Sequence, residues 1–252
     1  MSTNGAPAGW IEPYFAQGTT HSDIGIILVH GFTGSPASMR PWAHYLNDRG
    51  YTVAVPLLPG HGTHWSDLNK VKWQAWPKAV QAEIDSLRPK VKKLFVFGLS
   101  MGGGTTLNIA EKNALDGICL VNPMIHIPGV QIKFAPIISR FVSHLSSVGD
   151  DIKKPGVTEW GYDDLPTRGV LQLHKMLKET RANLEKVKAP LLLFHSVDDH
   201  VLPVSNSNII MSESGSMEKS RIELTNSYHV ATLDFDASLI FANSLAFIES
   251  HS

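Results

Sequence analysis

A serine stands between two glycines at the point where an apolar run gives way to a helical pattern. Residues 94–97 are apolar, the run ends at Gly98, and Ser100 follows two positions later. With Gly102 they form the pattern G-x-S-x-G, which places a serine on a sharp turn between a strand and a helix. Its neighbours must lack side chains so that the strand and the helix can approach closely. The pattern predicts that Ser100 is a nucleophile. The alternative is an ordinary glycine-rich loop that happens to contain a serine.

A serine hydroxyl is a weak nucleophile unless a base takes its proton and a third group orients that base. In this arrangement the order along the chain is serine, then Asp or Glu, then His. Asp198 and Asp199 both follow an apolar run, and the spacing D-x-x-x-P up to Pro203 favours Asp199, with Asp198 as the alternative. His229 lies in a loop between the last predicted strand and the last predicted helix. That position favours it as the base over the other histidines.

Attack by a serine on a carbonyl also requires donors for the oxygen that becomes negative. Losing one such donor typically costs ~2.7–4 kcal/mol of transition-state stabilisation. The backbone N–H of Met101, directly after the candidate nucleophile, is one expected donor. The backbone N–H of Phe32 is the other, because Gly31 and Gly34 permit a tight turn there. With Ser100, the acid and the base, this loop favours hydrolytic chemistry.

Short apolar runs alternate with helical patterns along most of the chain. Strands separated by helices imply a mainly parallel sheet with helices on both faces. The sequence therefore predicts an α/β fold in which the candidate residues follow the carboxyl ends of strands. The predicted strands are 24–30, 51–55, 94–97, 116–121, 189–195 and 220–224, and the predicted helices are 36–49, 65–87, 105–112, 205–214 and 235–249.

The alternation stops between residues 124 and 184, where the sequence predicts no strand. Helices are expected at 137–145 and 170–188. We interpret the segment as a small helical insertion after the strand that ends near Val121. The predicted division is a core of residues 1–123 and 185–252 and an inserted cap of residues 124–184. Such an insertion lies near the carboxyl ends of the strands, where open α/β sheets place their ligands.

Composition and charge argue against several classes of function. The chain has 252 residues, 43% of them hydrophobic, which is enough for one sizeable core. A net charge of −1 gives no reason to expect nucleic acid as a partner. Cys119 is the only cysteine, so no disulfide framework is expected. No clustered ligand motif suggests a metal, and the proposed chemistry needs no cofactor. The first ten residues lack the features of a signal peptide, and we expect a cytoplasmic location.

The sequence resembles the α/β-hydrolase superfamily, and within it the small bacterial monoacylglycerol lipases and their carboxylesterase relatives. The resemblance extends over nearly the whole chain and is most specific in residues 28–36, 60–64, 98–103 and 226–236. It implies the α/β-hydrolase fold, with a mostly parallel central sheet flanked by helices. It also implies a catalytic triad and an oxyanion pair, which are Ser100, Asp199 and His229, and Phe32 and Met101.

The resemblance further implies that the insertion is a cap over the active site and that Glu159 in it helps to hold a glycerol head group. From the residues alone, Glu159 would be one more solvated carboxylate. The flanking Trp160 and Gly161 depart from the family pattern. The apolar residues of the first predicted cap helix could pack onto the sheet, wall an acyl tunnel or contact a lipid surface. They are Ile137, Ile138, Phe141, Val142 and Leu145.

The expected reaction is hydrolysis of monoacylglycerols to glycerol and fatty acid through an acyl-enzyme. A general short- or medium-chain carboxylesterase would share every catalytic residue, and a non-catalytic homologue is a further alternative. A dehalogenase is disfavoured because that chemistry on this fold uses a carboxylate where Ser100 stands. The expected partners are a monoacylglycerol or other small ester and, transiently, lipid surfaces. We expect a monomer or a weak dimer.

Overall fold

A seven-stranded sheet forms the centre of the protein. The computed structural model describes residues 6–129, 135–146 and 149–252. The spatial order of the strands is β1-β3-β2-β4-β5-β8-β9, and all neighbours are parallel except β1 with β3. These strands are β1 (Tyr14–Ala16), β2 (His21–Val29), β3 (Tyr51–Val55), β4 (Lys93–Leu99), β5 (Gly117–Val121), β8 (Leu191–Ser196) and β9 (Lys219–Leu224). A separate pair is formed by β6 (His144–Ser146) and β7 (Asp164–Pro166).

Helices cover both faces of this sheet. Because successive side chains of a strand point to opposite faces, β4 contributes to two cores. Phe97 stacks on Trp42 of α1 (Arg40–Asn47) at 5.1 Å between ring centroids, while Val96 packs in the opposite core with Trp76 of α2 (Ala75–Leu87). The helices are α1 (Arg40–Asn47), α2 (Ala75–Leu87), α3 (Met101–Ala110), α4 (Ala135–Phe141), α5 (Thr167–Arg181), α6 (Ser205–Glu213) and α7 (Ala237–Ser250).

The predicted α/β architecture is confirmed, and each of the six predicted strands is present. The predicted helix 65–87 is in fact two elements, a 3₁₀ helix at Trp65–Lys70 and then α2. Pro77 lies in the first turn of α2, where backbone N–H groups have no intrahelical acceptor, so the N–H that proline lacks is not needed. Strand β1 was not predicted. It has three residues and pairs only at the edge of the sheet.

The insertion between β5 and β8 differs from its prediction. Helix α4 ends at Phe141, short of the predicted end at residue 145. The chain then forms β6, which pairs antiparallel with β7, so the prediction that this segment contains no strand is wrong. All three residues of β6 are exposed, so this strand carries no buried apolar alternation that the sequence could reveal.

Helix α5 links the insertion to the sheet. It begins at Thr167 and ends at Arg181, whereas the prediction was 170–188. Leu173 and Leu177 are buried against the sheet-covering helices, and Asn108 of α3 donates a hydrogen bond of 3.0 Å to the buried hydroxyl of Thr180. The base of the insertion is therefore anchored in the main core. The exact division into a core and a cap at residues 124–184 stays a prediction.

Candidate active site

Ser100 occupies a strained turn between β4 and α3. Its φ is 55° and its ψ is −118°, a combination that side-chain-bearing residues rarely adopt. The turn is held by its own backbone, because the N–H of Ser100 donates to Val121 O at 3.0 Å and its carbonyl accepts from Met124 N at 3.0 Å. The predicted sharp strand-to-helix turn is confirmed.

The two flanking glycines are required by close backbone approaches. A Cβ at Gly98 would collide with the backbone of Gly102, and a Cβ at Gly102 would collide with the carbonyl oxygen of Val29 in β2. The pattern G-x-S-x-G therefore reflects contacts among β2, β4 and α3 that leave no room for a methyl group.

We expect Gly102→Ala to destabilise the protein by about 3 kcal/mol or to prevent folding, because the obstacle is a backbone carbonyl of a central strand. Thermal unfolding measures the effect. Gly149→Ala is the matched control, since the nearest atom to a Cβ there is Tyr162 O at 3.9 Å. Equal unfolding midpoints for the two variants would contradict the steric explanation.

The acid and base candidates form a buried pair beyond the ends of β8 and β9. His229 Nδ1 donates to Asp199 Oδ2 at 2.8 Å, with side chains only 8% and 2% exposed. The other carboxylate oxygen of Asp199 accepts the backbone N–H groups of Val201 at 2.8 Å and Leu202 at 2.7 Å. Asp198 is exposed and lies 3.8 Å from Lys153 Nζ instead. The structure therefore places Asp199, and not Asp198, against the imidazole.

The surroundings of this pair shift both pKa values towards the charged forms. Burial opposes ionisation of Asp199, but the hydrogen bond and charge of His229 outweigh it and lower the pKa of Asp199 below its ordinary value. Burial also opposes protonation of His229, yet Asp199, with Glu159 and Asp151, raises the pKa of His229 above its ordinary value. The surroundings of His229 thus stabilise the imidazolium that a general base becomes when it accepts a proton.

The loop after β2 lies against the serine. A Cβ at Gly31 would be 3.4 Å from the Cβ of Ser100, and Thr33 has a φ of 62°. Tyr162 of the insertion donates its backbone N–H to Thr33 O at 2.9 Å and so holds this loop from the other side. Between described residues, the backbone N–H groups of Phe32 and Met101 make no hydrogen bond. Both remain available to an oxyanion beside Ser100.

A cavity of about 280 Å³ brings the candidate residues together. Ser100, His229, Phe32 and Glu159 line it, as does Asp151 of the insertion. The rest of its wall is mostly apolar, which excludes water and strengthens electrostatic interactions. A second cavity of about 170 Å³ continues along the insertion. The two cavities share Ile127, Pro128, Leu165 and Val170.

Glu159 reaches the cavity from the insertion. Its backbone N–H donates to Asp150 Oδ1 at 2.7 Å, and its carbonyl accepts from the hydroxyl of Ser35 at 3.3 Å. Burial raises the pKa of Glu159 to about 7, and the charge of Asp150 adds to this effect. Gly161 lies so near the oxyanion loop that a Cβ would be 3.0 Å from Thr33 O, which accounts for the glycine at this position.

Asp151, which no sequence pattern singled out, also lies at the site. Its side chain is 8% exposed and accepts hydrogen bonds from His200 Nδ1 at 2.8 Å and from the backbone N–H of His229 at 3.1 Å. A carboxylate in a polar loop carries no pattern that marks such contacts. Among the described residues, no group of His, Cys, Asp or Glu side chains is arranged to hold a metal ion.

The location of the serine defines the class of protein. A mainly parallel sheet that carries a strained serine on the turn after a central strand, with an Asp–His pair beyond later strands, is the α/β-hydrolase fold. The model of the family described as serine aminopeptidase, S33, matches residues 20–236, and the chain belongs to this family.

Relatives of named function agree with this class. The chain is 40% identical to the thermostable monoacylglycerol lipase of Bacillus sp. (strain H-257), over 96% of this chain and 95% of the relative. It is 25% identical to a carboxylesterase of Bacillus subtilis (strain 168), over 94% and 96% respectively. A solved structure from work on two metagenome-derived lipolytic enzymes, LipS and LipT, superposes with a TM-score of 0.91 at 36% identity, over 96% and 99%. The chain is therefore a hydrolase whose relatives are carboxylic ester hydrolases.

Within the described residues, no α-helix has both the length and the apolar character that a membrane span needs.

Proposed function

We propose that this protein hydrolyses the ester bond of monoacylglycerols, releasing glycerol and a fatty acid. The observation that carries the proposal is that one cavity is lined by Ser100, His229 and Glu159, whose carboxyl group can bind hydroxyl groups. The 40% identical relative named as a monoacylglycerol lipase supports the substrate. The 25% identical carboxylesterase keeps a general carboxylesterase as the second candidate.

The proposed reaction has two steps. His229 takes the proton of the Ser100 hydroxyl as its oxygen attacks the acyl carbonyl, while Asp199 fixes the imidazole with its proton on Nδ1. The negative oxygen is stabilised by the N–H groups of Phe32 and Met101. His229 then protonates the departing glycerol oxygen, leaving an acyl-enzyme, and a water repeats the sequence on the acyl carbonyl to regenerate Ser100.

The apolar continuation of the cavity suits the acyl chain. The second cavity is lined by Ile138 and Leu145 on the side of α4 and β6, and by Val170 of α5. As Ser100 attacks the ester, the acyl chain would extend along this wall while the glycerol end, before it departs, would lie near Glu159. We therefore assign the cap role to the insertion.

The outer side of the insertion supports transient contact with lipid surfaces. Three large apolar side chains that do not line the second cavity are 38% to 84% exposed, which is typical of an interaction surface when such side chains are contiguous. They are Ile137, Phe141 and Val142. A monomer or weak dimer and a cytoplasmic location remain our predictions.

Glu159→Gln tests the substrate. With a monoacylglycerol and an ethyl ester of the same fatty acid, we expect wild type to prefer the monoacylglycerol and the variant to lose about tenfold of that preference. The hydrolysis rate should fall for the monoacylglycerol alone, because only its glycerol hydroxyls contact the carboxylate. Initial rates on both esters, with a triacylglycerol as control, give the ratio. An unchanged ratio would favour the general carboxylesterase.

Thermal unfolding of Glu159→Gln tests whether the variant is folded and whether burial raises the pKa of Glu159. The pKa of about 7 is above the ordinary 4.5, so the contribution of Glu159 to stability is complete below pH 4.5 and is lost as pH rises through 7. Glutamine does not ionise. The difference in unfolding temperature, Glu159→Gln minus wild type, should therefore be more positive at pH 8 than at pH 5.

A further inference from the structure

The insertion is tied to both loops that carry the acid and the base. The carbonyl of Asp151 accepts the N–H of Val230 at 3.1 Å. Its carboxylate oxygen Oδ2 accepts the backbone N–H groups of His229 at 3.1 Å and His200 at 3.3 Å. Its other oxygen, Oδ1, accepts from His200 Nδ1 at 2.8 Å. One buried carboxylate thus joins the loop after β8 to the loop after β9.

A second carboxylate reinforces the same connection. Asp234 is 3% exposed and accepts the backbone N–H groups of Lys153 at 2.7 Å and Lys154 at 3.0 Å. It also accepts the N–H of Tyr228, at 2.9 Å, directly before the histidine. We call residues 150–154 the strap, since they cross the base of both loops and are hydrogen-bonded to each.

We infer that Asp151 is a positioning residue for the reaction: it fixes the backbone of His229 and supplies a second negative charge to the imidazolium, beyond that of Asp199. This inference rests on the proposed catalytic role of His229. It gives the strap a role in catalysis that no sequence pattern predicts.

The charges around the imidazole agree with this assignment. His229 faces Asp199 from the loop after β8, and Glu159 and Asp151 from the insertion, and each of the three raises its pKa. Asp151 in turn faces His200, whose pKa it raises, while the exposed Asp198 pairs with Lys153 of the strap. Asp151 is the one of these carboxylates that bonds the backbone of His229. Its removal should therefore change both the geometry and the charge that His229 experiences.

Asp151→Asn is the informative variant. The amide oxygen can still accept the backbone N–H of His229, so the shape is kept and the charge is lost. We expect kcat to fall roughly tenfold with little change of KM, because a charge-assisted interaction with the imidazolium is lost in the transition state. The rise of kcat/KM with pH should also move to lower pH, because a base with a lower pKa is neutral earlier.

Two matched variants isolate the effect. Asp198→Asn removes an equal charge next to Asp199. Its half-exposed carboxylate pairs with Lys153 of the strap at 3.8 Å and, among the described residues, makes no hydrogen bond to His229, so the variant should keep the wild-type rate and pH profile. His200→Gln keeps Asp151 and the backbone N–H groups that it accepts and removes only the side-chain hydrogen bond to Oδ1, so its loss of kcat/KM should be clearly smaller than that of Asp151→Asn. A loss in His200→Gln as large as that in Asp151→Asn would assign the effect to His200 and overturn the inference.

The pH profile separates positioning from a merely structural role. If Asp151→Asn unfolds at a lower temperature but keeps the wild-type pH profile and kcat, the inference is wrong. Ser100→Ala and His229→Gln distinguish this failure from failure of the proposed function. If those two variants are inactive while Asp151→Asn resembles wild type, only the role of Asp151 is lost. If they remain active, the proposed reaction itself is wrong.

Discussion

Ser100→Ala should reduce kcat/KM for ester hydrolysis by roughly 10⁴- to 10⁶-fold. Alanine removes the hydroxyl that forms the acyl-enzyme, and among the described residues the cavity lining contains no second serine and no cysteine. The residual rate should be that supported by binding and by the N–H donors alone. Initial rates on a chromogenic ester, measured over several decades of enzyme concentration, give the ratio.

The same variant should remain folded. Serine and alanine both carry a Cβ, so the strain at φ 55° is present before and after the change. The midpoint of thermal unfolding should therefore stay within a few degrees of wild type. Covalent labelling by a fluorophosphonate provides an independent measurement: wild type should be labelled and Ser100→Ala should not. Labelling of the variant, or loss of less than tenfold in rate, would exclude Ser100 as the nucleophile, and an unlabelled wild type would favour a non-catalytic homologue.

The placement of the three candidate residues was predictable because it follows from strand order. Parallel strands end at one edge of the sheet, so residues that follow β4, β8 and β9 meet there whatever their separation in the chain. Apolar runs and glycines locate those strand ends in the sequence. The choice between Asp198 and Asp199 also followed from spacing, and the 2.8 Å contact with His229 agrees with it.

The interior of the insertion was less predictable. The apolar residues between Ile137 and Leu145 match a helical period, but the chain leaves the helix at Phe141 and enters β6. What stabilises β6 is its backbone pairing with β7, about twenty residues later in the chain. A local pattern cannot report a pairing of that kind, since exposed side chains carry no alternation.

The strap was not predictable at all. Asp151 contacts residues 49 and 78 positions away, His200 and His229. Both contacts depend on how the insertion folds back over the ends of β8 and β9. In the sequence, Asp151 is one of two adjacent aspartates in a polar loop, a position where a solvated side chain is the ordinary expectation. Only the three-dimensional arrangement identifies it.

Asp199→Asn should reduce kcat by roughly 10³- to 10⁴-fold, the second of the two largest effects we expect. The orientation of the new amide is fixed by the structure. The backbone N–H groups of Val201 and Leu202 point at Oδ1 of Asp199, so the amide oxygen must occupy that position. The amide nitrogen must then face Nδ1 of His229 as a donor, which forces the imidazole proton onto Nε2. A histidine protonated on Nε2 cannot accept the proton of Ser100.

The adjacent aspartate provides the control for this prediction. Asp198→Asn changes net charge by the same amount one residue away, but its carboxylate is directed to Lys153 at 3.8 Å and is about half exposed. An exposed pair of this kind contributes little to stability or to the field at the imidazole. Its kcat should match wild type. Rates for both variants, measured at the pH optimum of wild type, compare the loss of a charge with the loss of an oriented acceptor. Equal losses would mean that the sheet edge needs only negative charge and that the tautomer of His229 is fixed by some other contact.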